Sequence, residues 1–219
     1  EKKEFNLIFE NHPIICFCYP IYGSSVPTIM KNFVDKYKTY LNNKKIIILS
    51  TQLIFSGDGA RVFTDLLEGI SVEVILAEHF NMPNNLCNVG IFKVKNGDEN
   101  KKTLLKAQKK INILCKAFEE NKKILRGFNG FSRLMGLTQR IPYKNIEQKA
   151  ADKVFVNKEK CILCEKCIKE CPMSNLYISQ NKVISKGICT LCYRCVNNCP
   201  QKAINVGLKR KVKKEYLGV

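Results

Sequence analysis

The chain has 219 residues, a formal net charge of +18, twelve cysteines and no tryptophan. This length suits one ordinary domain plus a small one. Its longest apolar runs, such as IICFCY and KIIILS, are far too short to cross a bilayer, and no N-terminal signal pattern is visible. The positive charge is nearly all lysine, beside abundant Asn and Ile, as in an AT-rich genome. Its runs at 121–123 and 209–215 read as solvated surface. Such a field suits an acidic partner protein, and no nucleic-acid module is present.

The opening, EKKEFNLIFENHP, begins mid-stride and leads directly into an apolar strand, IICFCY. The expectation is a domain without its first strands. A Pro/Gly/Ser turn, PIYGSSVP, precedes a helical pattern over 27–41 with Ile29, Phe33, Val34, Tyr37 and Leu41 on one face. The β-branched run KKIIILS predicts a strand covered on both faces. After the loop TQLIFSGDG, a helix over 60–68 closed by Gly69 leads to a third strand, VEVILAEHF. A long amphipathic helix is predicted over 98–125, its stripe formed by Leu104, Leu105, Ile111, Leu114, Cys115 and Phe118. Residues 129–153 hold neither period and contain Gly130, Gly136 and Pro142, so a linker is expected there.

Strands alternating with helices over 1–128 predict an α/β domain with a doubly wound parallel sheet. Ligands of such sheets lie beyond the carboxyl ends of the strands, here 19–25 and 51–59. Cys16 and Cys18 share one strand face and are expected as small buried core thiols. Cys87 and Cys115 are isolated and read as structural. His12 and His79 have no partner in a recognisable motif, and no catalytic residue is expected.

The remaining eight cysteines form two copies of C-x-x-C-x-x-C-x-x-x-C-P, 28 residues apart, ending at Pro172 and Pro200. Apolar residues share the offset: Leu163 with Leu191, Ile168 with Val196, Leu176 with Ile204, Ile178 with Val206. Three thiolates at this spacing can face three corners of a 4Fe-4S cube, but the fourth must come from elsewhere. A zinc site would favour two separated C-x-x-C pairs, and disulfides would need an oxidising compartment. Residues 154–219 resemble a bacterial two-cluster ferredoxin domain, a small α+β fold, here with a basic tail. In that family the fourth cysteine of each run serves the other cluster. The resemblance implies one 4Fe-4S cluster on Cys161, Cys164, Cys167 and Cys199 and another on Cys189, Cys192, Cys195 and Cys171.

A flavodoxin-like half before a two-cluster ferredoxin half resembles the flavodoxin–ferredoxin fusion proteins of anaerobic bacteria. Residues 14–125 are similar to the last three strands of flavodoxin. The resemblance implies an FMN ring flanked by Pro20, Ile21, Tyr22 and Gly23 on one side and Thr51, Gln52, Leu53, Ser56 and Gly57 on the other, with Tyr22 stacked on it. The family's phosphate loop has no counterpart at the start of this sequence. The Ser-Gly-x-Gly of IFSGDGARVF is similar to it, but Asp58 would oppose a phosphate and is expected to cap the following helix. The expected function is cytoplasmic electron transfer between two clusters and FMN, with a redox partner protein. The alternative is a flavin-free ferredoxin-type carrier whose α/β half is a docking scaffold.

Overall fold

The computed structural model describes residues 2–89, 92–95, 97–143, 146–210, 212, 214–216 and 218. It divides into two units: Glu1–Met82 with Thr103–Tyr143, and Pro83–Lys102 with Lys144–Val219. Among the described residues no helix is long and apolar enough to cross a membrane.

In the first unit β1 (Ile14–Pro20), β2 (Lys44–Gln52), β3 (Val72–Asn81) and β4 (Ile124–Leu125) pair in that order, each parallel to the next. The β-branched run of β2 is covered on both faces. Ile46 and Ile48 are fully buried with Phe17, Val34 and Phe63, whereas Ile47 and Leu49 pack toward Leu76, Leu114 and Ala117. Period-two alternation also corrects the reading of β1. Ile15, Phe17 and Tyr19 turn inward, leaving Cys16 and Cys18 exposed on the opposite face, their Sγ atoms 3.8 Å apart.

Helix α1 (Lys2–Asn11) occupies the opening stretch, where no element was expected. Phe5 and Phe9, one turn apart, meet Phe33 and Tyr37 of α2 (Thr28–Tyr37) with ring centroids 5.3 and 5.7 Å apart. A 3₁₀ turn, Lys38–Leu41, completes the segment predicted as one helix and buries Leu41. The predicted helix over 60–68 is also a 3₁₀ segment, Arg61–Leu67, which places Phe63 and Leu67 in the core.

Helix α3 (Gly97–Glu119) ends before 125 because the chain turns into β4. Its expected stripe is corrected too: Ala107, Leu114 and Ala117 are buried, while Leu105, Ile111, Cys115 and Phe118 are exposed. Small alanines face the sheet because they permit close approach, so the largest apolar residues misreport the buried side. The expected linker contains α4 (Gly130–Tyr143) and α5 (Ile146–Ala151). Gly136 and Ser132 lowered the helical signal of α4 because they are its contact face; both are buried.

In the second unit β5 (Val154–Val156) pairs antiparallel with β8 (Ile204–Val206), and β6 (Leu176–Ser179) with β7 (Lys182–Ser185). Strands related by the 28-residue offset are β5 with β7 and β6 with β8. Each pairing therefore joins the first strand of one half to the last strand of the other.

Candidate metal centre

Each half of the repeat turns through the same unusual backbone. Positive φ recurs at Leu163 and Leu191 (53° and 55°), at Glu165 and Tyr193 (59° and 60°), and at Ser174 and Lys202 (47° and 49°). Left-handed conformations in non-glycine residues are costly, so six of them in register identify the loops as matching devices. The first two of each half bring three cysteines around one space. A short helix follows, α6 (Lys166–Lys169) or α7 (Arg194–Asn197), and carries the chain away to the fourth cysteine.

Because the strands exchange between halves, the fourth cysteine arrives at the other half's loop. Cys161, Cys164, Cys167 and Cys199 line one space. Cys171, Cys189, Cys192 and Cys195 line the other. Electrostatics follow this grouping in part. The Cys167 thiol is pushed up to about 11 by burial, with Cys199, Cys161 and Cys164 adding to it. Burial likewise raises Cys189, Cys192 and Cys195; Cys171 acts on all three, and Cys167 of the first quartet also acts on Cys195. Crowded, half-buried thiols resist ionisation until cationic metal offsets their charge.

Among the described residues no three His, Cys, Asp or Glu converge on a single ion. Four thiolates on one zinc would lie about 3.8 Å apart, from a bond of about 2.3 Å. The sulfurs here ring a space, which suits a multi-iron core. Backbone N–H groups already address them: Asn175 N donates to Cys171 Sγ at 3.4 Å, Ala203 N to Cys199 Sγ at 3.2 Å and Leu191 N to Cys189 Sγ at 3.4 Å. The donor set therefore fits iron–sulfur clusters.

Residues 153–200 match the 4Fe-4S dicluster domain. This part of the chain is a ferredoxin-type iron–sulfur domain, with electron transfer as its chemistry. No curated protein and no solved structure matches the chain.

Sequence reasoning missed Asn175, which is 1% exposed. Its Oδ1 accepts from Ile188 N at 2.9 Å and its Nδ2 donates to Ser185 Oγ at 3.0 Å, fixing the turn that leads into Cys189. The repeat could not reveal it, since Ala203 occupies the matching position.

The predicted flavin loops lie at the ends of β1 and β2, where Ile21 N donates to Thr51 O at 2.7 Å. Several of their polar atoms are already engaged. Ser24 Oγ donates to Ser56 O, Ser56 Oγ to Gln52 Oε1 at 2.6 Å, and Asn81 Nδ2 to Leu53 O at 3.2 Å. Asp58 is fully buried. It caps no helix, contrary to expectation, but pairs with Arg61 at 2.8 Å and with Arg140 of α4, which also donates to Ser24 O at 3.0 Å.

Helix α4 sits directly on these loops. A Cβ on Gly57 would collide with Gly136 N, and one on Gly23 with the Tyr143 ring. Pro20 is exposed and Tyr22 half-buried, while Ile21 packs on the core.

His79, given no partner from sequence, is 1% exposed and central to this network. Its Nε2 accepts from Ala60 N at 3.0 Å, so the proton resides on Nδ1, 3.3 Å from Ser56 Oγ. A ring holding its proton toward the serine cannot be that serine's base. Burial lowers its pKa to about 4, with Arg126 and Lys110 assisting against Glu78.

Proposed function

We propose that the chain is a one-electron carrier holding two 4Fe-4S clusters, one on Cys161, Cys164, Cys167 and Cys199 and the other on Cys189, Cys192, Cys195 and Cys171. The observation that carries this reading is the division of eight cysteines into two quartets, each completed by the other half's fourth cysteine. When bound, such a cluster takes up or releases single electrons. The chain's part is to hold and tune it. N–H groups of Asn175, Leu191 and Ala203 stabilise negative charge on sulfur, and the buried side chains of Tyr193 and Val196 keep water from the second site. All twelve cysteines are free thiols, which suits a reducing, cytoplasmic setting.

The α/β half is proposed to be flavin-free in this chain, with α4 closing the strand ends where FMN was expected. Anaerobic reconstitution tests both statements. About eight irons and eight sulfides per chain are expected, with no flavin released on denaturation. Zinc, or about four irons, would overturn the two-cluster reading. One FMN per chain would overturn the flavin-free reading and restore loops 20–23 and 51–57 as its cradle.

A further inference from the structure

The two halves of the repeat share a backbone but not a covering. Ile162 is 61% exposed, whereas its counterpart Thr190 is 5% exposed; Glu165 is exposed, whereas its counterpart Tyr193 is 5% exposed. Cys164 is exposed, while Cys192 is partly buried. The second half is wrapped by residues from both sides of the sequence. Leu86, Val89 and Val212 pack around Tyr193 and Val196. Asn85 Nδ2 donates to Cys192 O at 3.2 Å, and Asn197 Nδ2 to Asn85 O at 2.9 Å.

Lys158, Lys160, Lys166 and Lys182 are exposed around the first loop, and none belongs to an ion pair among the described residues. Lys169, by contrast, is paired with Glu165 at 3.4 Å. A hollow of about 320 Å³ beside Cys161 is lined by Lys158, Lys182 and Asp152 together with Val156, Leu163 and Ile184. The second half keeps cations at three matching positions, Lys186 for Lys158, Arg194 for Lys166 and Arg210 for Lys182, all exposed, so the halves differ in covering more than in charge.

We propose that the Ile162 face, with its lysine rim, is the docking surface for an acidic redox protein. This rests on the carrier reading, since it names the partner of the same centre. An exposed apolar residue ringed by unpaired cations is the anatomy of a transient interface: the apolar centre supplies contact, and the charges supply steering and orientation. In the wrapped half the position matching Ile162 is the buried Thr190, and Asn85 covers Cys192. Electron transfer demands close approach, and only the first loop presents a cysteine at the surface without a covering segment.

The test uses the full chain reconstituted anaerobically, with a purified acidic flavodoxin as probe and calorimetry at low salt as readout. Iron is counted in every sample. Lys158→Glu combined with Lys160→Glu and Lys166→Glu is expected to weaken binding about tenfold or more at unchanged iron content. Lys186→Glu combined with Arg194→Glu and Arg210→Glu, the same number of charge reversals in the wrapped half, is expected to change affinity less than about twofold. No binding by the parent chain, equal losses in both variants, or equal affinity for a DNA duplex would overturn the docking surface while leaving the carrier reading intact. A parent chain without iron would overturn the carrier reading itself.

Discussion

The two units are held together by different physics. In the first, β2 is buried on both faces and Phe17, Tyr19, Ile46, Ile48 and Phe63 form one continuous core. The second has two small apolar clusters, and cysteines are themselves members of both. Its short strands contribute three or four residues each, too few for an independent sheet. Burial organises the first unit; the second is expected to need bound clusters to complete its fold.

The sharpest way to break this comparison is to remove the metal. Under anaerobic chelation, residues 146–210 should lose amide-exchange protection, while β2 and β3 remain protected. Protection lost together in both units would show that the first does not stand on its own core.

That contrast was only partly legible beforehand. Long apolar runs reveal strands because β-branched residues with no polar alternation have few other uses, and the parallel sheet was visible for that reason. The 28-residue offset exposed the repeat, since cysteines at fixed spacing carry both chemistry and loop geometry. Helix α4 was hidden because Gly136 and Ser132, chosen for close approach to Gly57, look like breakers in one dimension. His79 and Arg140 were invisible as partners, because their network joins residues 19 to 116 positions apart. Asn175 was missed because only one half of the repeat uses it.

Within the first unit, Asp58→Ala should cost about 3–5 kcal/mol, the usual penalty for breaking a buried ion pair, measured by denaturant unfolding of the holo chain. A loss below about 1 kcal/mol would show that α4 is held by apolar contact alone.

The same network sets a pH dependence. His79 titrates near 4 in the folded chain and near 6.5 when unfolded, so the unfolded state takes up its proton first as pH falls. Stability should be full above about pH 6.5 and decline toward pH 4 by about 3 kcal/mol in all. His79→Gln should flatten that slope in unfolding of the first unit; an unchanged slope would remove His79 as its source.

The smallest effect separates the two halves of the repeat. Val206, 1% exposed, and Ile178, 38% exposed, occupy matching positions. Val206→Ala should cost about 2 kcal/mol and Ile178→Ala less than about 1 kcal/mol. Equal losses would mean that the two halves are covered alike.

The exchange of fourth cysteines between halves is tested most directly by iron counts in two double variants. Cys161→Ser with Cys199→Ser removes two ligands from one proposed quartet and should leave about four irons per chain. Cys189→Ser with Cys199→Ser strikes both quartets and should leave almost none. The opposite result, with the second pair retaining a cluster and the first losing both, would show that each run keeps its own fourth cysteine.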